Sequence, residues 1–403
     1  MLEDVASDVR NNYYDPTLHG VDWEARVKDA REKIATATAG RSLVLEIAAV
    51  LETLNDSHTV FVPPGDPIQQ DYGWRFQMIG NHCYVTRVRP KSDAETKGLR
   101  PGDEVLTMSG FAPTRDSLNK MKYVFNVLLP QPFLRVDLRD HSGIIRSADV
   151  MAMARQARTI TDLAELTGRD SWRLRLEYEN LHHLRRPQYR DFGQELMVVK
   201  LPMFAGTDFD VTRIIEKARD HNWLVLDLRD NPGGAASALQ DLLGVFFEND
   251  TKIADRVMRE STDTLRTKGS HGNAFRGKLV VLVDSGSASA AELFARVIQI
   301  EKRGFILGDR TAGSVMEAKF YSHQTGSNPV FFYGTSVSFA DLRMLDGKSI
   351  EHIGVTPDET ALPTAADLEN GRDPVMARAA AMAGVRLSAE EAGKLFTYEW
   401  PMN

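Results

Sequence analysis

A single cysteine, Cys83, stands among the 403 residues. No internal disulfide can form, and no thiolate cluster is available to hold zinc. Long apolar runs are missing as well. None approaches the roughly 20 residues that carry a helix across a bilayer, so no membrane span is expected. A basic cluster is also absent: 49 Lys and Arg against 56 Asp and Glu leave a formal net charge of −7, which argues against nucleic acid as a partner. No motif asks for a cofactor or a metal. The chain begins at Met1 inside a helical pattern without a signal peptide, which is consistent with a trimmed targeting segment. The apolar fraction of 42% and charged fraction of 26% belong to a folded globular chain. Its length exceeds one ordinary core, so two or three domains are expected.

Residues 1–70 read as a helical region. Val5 and Val9, and later Leu43, Ile47, Val50, Leu51 and Leu54, fall on apolar stripes, with a turn over Tyr13–Trp23. Asp56, Ser57 and His58 follow, just before a short strand at Thr59–Val62. A lone histidine in such a place is more often structural than catalytic. Residues 71–152 alternate strands with glycine turns: a strand at Cys83–Val88, a short helix over Ser92–Gly98, then the turn and strand LRPGDEVLTMSG. In these residues the block resembles a PDZ domain. That resemblance implies that Tyr72, Gly73, Trp74, Arg75 and Phe76 form a loop receiving a peptide C-terminus, with the peptide added as a strand beside it.

Residues 153–403 carry the repeating unit of an α/β protein. Met151–Gln194 reads as a connector with one or two strands. Apolar strands are predicted at Glu195–Leu201, Trp223–Leu228, Leu279–Val283 and from Phe305. Helices are predicted over Val211–Arg219, over Ala235–Phe247 and after Ser289. Strand, turn and helix in alternation predict a mostly parallel sheet with crossover helices. Sites in such sheets gather at the carboxyl ends of strands, where Asn231–Gly234 and Ser285–Ser289 fall. A serine hydroxyl at such a corner lies near free N–H groups and the positive end of a helix dipole, which favour a developing oxyanion. Ser285, Ser287 and Ser289 would equally serve as caps.

Taken in order, DLRDNPGG, the SASAAE turn and GDRTAG resemble the C-terminal processing (tail-specific) serine peptidases, a family that includes the tricorn core protease. The resemblance extends over nearly the whole chain. It implies a crotonase-like core, Ser289 as nucleophile, and an oxyanion hole from Gly233 or Gly234 with the N–H of Ala290. One element is missing: the lysine expected shortly after the Thr311-Ala312-Gly313 turn is Ser314. The tricorn-like branch supplies its base otherwise, and the match places Ser57 and His58 there, with Glu351 of SIEHIGVTPD as the third partner. His58 would be the general base, oriented by Ser57 and Glu351. Because neighbouring side chains on an extended segment point apart, Ser57 must sit at a bend to reach His58. Two alternatives stay open: a Ser-Lys peptidase using Lys319, and a non-catalytic member binding peptide or a hydrophobic ligand. The family implies a polypeptide substrate, no cofactor, a homo-oligomer in many members, and a periplasmic or secreted setting, with the cytoplasm as alternative.

Overall fold

The computed structural model describes residues 1–38, 40–64, 68–156, 186–204, 209–327 and 330–400. The connector expected over Met151–Gln194 therefore lies largely outside the described residues. Its described ends hold the strands Met153–Gln156 and Gln188–Phe192.

The sheet that organises the chain has six strands, running Glu359–Thr360, Phe305–Gly308, Lys278–Val283, Trp223–Asp227, Leu196–Lys200 and Gln188–Phe192 across its width. The first five are parallel, and the Gln188–Phe192 edge is antiparallel. Leu279–Val283 is buried throughout, as an unbroken apolar run should be when both faces of a parallel sheet are covered. Val281 and Val283 face a core built with Leu239, Leu243, Phe294 and Val297 from the crossover helices. Val280 and Leu282 face Val375, Met376 and Ala379 of the helix Pro374–Met382. The crossover helices are Phe209–Ala218, Ala236–Gly244 and Ala290–Ile300, as the alternation predicts.

A second, antiparallel sheet is not apparent from the sequence pattern. The strand Phe331–Arg343 pairs with Val60–Val62, Lys252–Met258 and Met316–Thr325. Thr335 and Ser338 are fully buried within it, so polar residues sit where a simple alternation would demand apolar ones. Here the N-terminal helices find their partner. Val5, Val9, Tyr13, Ile47 and Leu54 form one core with Phe61, Tyr333 and Val337. That shared core carries Ser57 and His58 to residues nearly 300 positions away.

Between these parts lies an antiparallel unit of five strands, Trp74–Ile79, His82–Val88, Glu104–Met108, Phe133–Arg139 and Ile145–Met151, in that spatial order. Trp74, Met78, Val85, Leu99, Val136 and Leu138 give it a core of its own. Cys83 belongs to that core, and burial pushes its thiol up to about 12, far from reactive thiolate behaviour. Arg115 clamps the unit to the main body: Nη2 donates to Asp309 Oδ2 at 2.6 Å, Nη1 to Arg310 O and Nε to Gly80 O, both at 2.9 Å. Among the described residues no helix is long and apolar enough to cross a membrane. No group of His, Cys, Asp and Glu among them could hold a metal ion.

Candidate active site

Of the three serines at the end of the Lys278–Val283 strand, two hydroxyls are committed. Ser285 Oγ donates to Met78 O at 2.6 Å and Ser287 Oγ to Leu228 O at 2.7 Å, so these two build the turn and its contact with the antiparallel unit. The hydroxyl of Ser289 donates to no group among the described residues. Its backbone is held at φ 54°, ψ −117°, a conformation costing on the order of 1–3 kcal/mol for a non-glycine residue. Strain of this kind at a strand-to-helix corner projects a serine Oγ away from its own backbone. The helix Ala290–Ile300 begins at the next residue.

Glu292 holds this corner, and it went unnoticed in the sequence. Its carboxylate is fully buried and accepts four hydrogen bonds. Oε1 takes the hydroxyl of Thr311 and the N–H of Gly313 at 2.7 Å, and Oε2 takes the N–H of Ser314 at 2.8 Å and of Ser289 at 3.1 Å. Burial pushes its pKa up to about 7, against these bonds, which all favour the anion. The available signal was the Ser-x-x-Glu spacing from Ser289, a helix-start pattern. Glu292→Gln turns an N–H₂ toward at least one backbone donor and should lower the free energy of unfolding by about 3 kcal/mol. Urea titration checks this, and an unchanged midpoint would deny Glu292 that role.

The turn held by Glu292 also meets the histidine. Ser314 O accepts the N–H of Ser289 at 2.9 Å, and the N–H of Val315, the next residue, donates to Glu351 Oε2 at 2.6 Å. Glu351 Oε1 accepts the N–H of Ser57 at 2.8 Å, and Oε2 accepts the Ser57 hydroxyl at 3.0 Å. Ser57 Oγ lies 2.7 Å from His58 Nδ1. A hydroxyl has one proton, and here it goes to the carboxylate. The short contact with Nδ1 must then be donated by the ring, which puts the proton of neutral His58 on Nδ1 and leaves the Nε2 lone pair bare. No hydrogen bond joins the His58 ring to Ser289 Oγ among the described residues.

The bend that this pairing requires is present at Ser57 and His58. Asn55, at φ 51°, turns the chain. Asp56 Oδ1 then accepts the N–H groups of His58 and Thr59 at 2.9 and 2.7 Å and the Ser338 hydroxyl at 2.7 Å. Asp56 is thus the residue that shapes the histidine loop. Burial lowers the pKa of His58, against the charges of Glu351 and Asp56, which raise it.

DLRDNPGG lies against Ser289. Asp227 is buried, which would raise its pKa, yet Arg229 and Lys200 beside it hold it well below the usual range. Arg229 in turn grips Asp373 through two bonds of 2.9 and 2.7 Å, a structural network. Asn231, fully buried, donates to Leu201 O and accepts the N–H of Gly233, both at 2.8 Å. That changes the expectation for the oxyanion donors: the Gly233 N–H is turned inward to Asn231. The N–H groups of Gly234 and Ala290 donate to no described group. Gly233 contributes close approach instead, since a Cβ there would lie 2.6 Å from Ser289 Cβ and 3.0 Å from Ala290 N. Lys319 is exposed on the Met316–Thr325 strand with its Nζ 5.5 Å from the Tyr321 ring centroid, outside the hydrogen-bonded network. In the loop expected to take a peptide carboxylate, Gly73 N–H already donates to Asp71 Oδ1 at 2.9 Å, Tyr72 is buried with its hydroxyl on Gln131 O, and Trp74 is buried in the unit's core. Arg75 remains half-exposed, with Phe76 against Trp74.

Fold and site together define a serine peptidase. Residues 195–361 match the sequence model of peptidase family S41 and residues 1–39 that of the tricorn protease C1 domain. Residues 195–361 thus form a peptidase family S41 domain. It is 28% identical over 374 residues to the carboxyl-terminal-processing protease of Synechocystis, covering 87% of this chain and 78% of that one. It is 22% identical over 378 residues to carboxyl-terminal-processing peptidase 3, chloroplastic, of Arabidopsis thaliana, covering 87% of this chain and 66% of that one, so the chain spans about two thirds of that relative's length. Among solved structures, mature CPAF in complex with lactacystin has the same fold, with a TM-score of 0.65 at 14% identity over 91% of this chain and 95% of that one.

Proposed function

We propose that the chain is an endopeptidase for unfolded or C-terminally exposed polypeptides, working through an acyl-enzyme on Ser289 with His58 as general base. The observation that carries this reading is the pair Ser314 and Val315, adjacent residues whose backbone groups bind Ser289 on one side and Glu351, hence Ser57 and His58, on the other. Substrate binding is expected to bring His58 Nε2 within hydrogen-bond reach of Ser289 Oγ, a distance often long in free enzymes. Nε2 takes the serine proton as Oγ attacks the peptide carbonyl, and the oxygen gains the electron pair beside the N–H groups of Gly234 and Ala290. Collapse expels the amine, which receives the proton from His58. Water, deprotonated in the same way, then releases the acid product. Ser57 and Glu351 hold the imidazole in the Nδ1–H tautomer and stabilise its charged form. Residues 71–152 would present the substrate to this site. No step needs a metal or a cofactor.

Hydrolysis of an unfolded reporter protein tests the assignment. Ser289→Ala and His58→Ala should fall to background, while Lys319→Ala keeps the parent's rate; loss of activity in Lys319→Ala would transfer the role of base to that lysine. Because burial disfavours the imidazolium, the acid limb of kcat/KM should follow one proton with an apparent pKa below the ordinary imidazole value of about 6.5. Activity is retained above that pKa and lost as pH falls through it. An acid limb above neutrality would contradict a depressed histidine.

A further inference from the structure

The segment 396–400 leaves the main body and closes over the antiparallel unit. Phe396 packs beside the cluster of Val375 and Met376. Two residues on, the Tyr398 ring centroid lies 4.5 Å from the guanidinium carbon of Arg87, and the Trp400 ring lies 4.9 Å from those of both Arg75 and Arg89. The two rings meet edge to face, 5.2 Å apart at 84°. Arg75 comes from the edge strand Trp74–Ile79, Arg87 from its neighbour His82–Val88, and Arg89 follows that neighbour directly. Guanidinium groups over aromatic faces attract by cation–π forces, so three cations from adjoining strands form a platform for flat rings. The same corner is closed to a chain-terminal carboxylate. Asp71 occupies that role itself, accepting Gly73 N–H through Oδ1 and pairing with Arg89 Nη2 through Oδ2 at 2.8 Å.

We propose that Arg75, Arg87 and Arg89 form a binding site for polypeptide segments of the type aromatic-x-aromatic, and that Tyr398-Glu399-Trp400 is its tethered occupant. Recognition runs through ring faces rather than a terminal carboxylate. A tethered segment competes at an effective concentration in the millimolar range, so an incoming segment must displace the chain's own tail. Only the naming of that competitor as a substrate rests on the proposed peptidase function.

The test is fluorescence anisotropy with a labelled peptide LFTYEWPMN, the sequence of residues 395–403. Full-length chain carrying Tyr398→Ala and Trp400→Ala should bind it at least about 10-fold more tightly than the parent, whose own tail fills the site. A peptide with alanine at both aromatic positions should not bind, and adding Arg75→Ala and Arg87→Ala should remove the gain. A variant that unfolds like the parent yet shows no gain would overturn the proposal, as would equal binding of the alanine peptide. Should the tail variant fail to fold, the Arg75→Ala, Arg87→Ala chain decides: amide hydrogen exchange at residues 396–400 should rise about 10-fold, and unchanged exchange would overturn the proposal. None of these readouts needs catalysis, so an inactive Ser289 leaves them intact.

Discussion

Glu351→Gln should lower kcat by about 10⁴-fold while leaving KM nearly unchanged, with a stability loss of about 1–3 kcal/mol because the new N–H₂ faces the N–H of Ser57 or of Val315. The substitution keeps size and shape, so the effect comes from proton placement. In the parent, every hydrogen-bond partner of the Glu351 carboxylate is a donor: the N–H groups of Ser57 and Val315 and the hydroxyl of Ser57. An amide N–H₂ in place of Oε2 donates to Ser57 Oγ, which then turns its own proton toward His58 Nδ1. The imidazole must move its proton to Nε2, where the base is needed. Loss of the correct tautomer in a serine peptidase triad costs about 10⁴ in kcat, equivalent to about 5.5 kcal/mol in the barrier. A loss smaller than 10-fold would show that the Ser57 relay does not set the histidine tautomer.

Gly233→Ala should cost at least about 10³-fold in kcat/KM. Gly233 has φ 96°, a region in which an L-residue is strained, and its methyl would press on Ser289 Cβ and Ala290 N. The serine is displaced and the proposed oxyanion donor at Ala290 obstructed at once, and removal of a single such donor already costs about 10²–10³. Gly143→Ala separates strain from chemistry. Gly143 has φ 84° with nothing within 4 Å of the added Cβ, so that variant should lose stability alone. Equal kinetics for the two alanine variants would mean that Gly233 has no special place beside Ser289.

The parallel sheet was legible because Trp223–Leu228 and Leu279–Val283 are apolar on both faces, a pattern with one structural reading. The serine corner was legible because small residues follow such a strand immediately. Ser289 could be told from Ser285 and Ser287 only by resemblance, since what separates them is which hydroxyl finds a carbonyl, a tertiary fact. The antiparallel sheet around Phe331–Arg343 stayed hidden because buried Thr335 and Ser338 break the apolar alternation. In the sequence Glu292 carries only the Ser-x-x-Glu spacing of a helix start. Its importance lies in Thr311, Gly313 and Ser314 arriving from another loop, which local sequence does not encode. The role of Asp56 is equally hidden from local sequence, since its link to Ser338 spans 282 positions. The turn of Gly233 toward Asn231, and of Gly73 toward Asp71, likewise depends on backbone angles that residue types leave open.

The most direct test of a serine activated by His58 is covalent labelling with a fluorophosphonate probe, read by intact mass and peptide mapping. The parent should carry one adduct, on Ser289, and both Ser289→Ala and His58→Ala should carry none. An adduct on another residue, or undiminished labelling of Ser289 in His58→Ala, would contradict the assignment of histidine as the base.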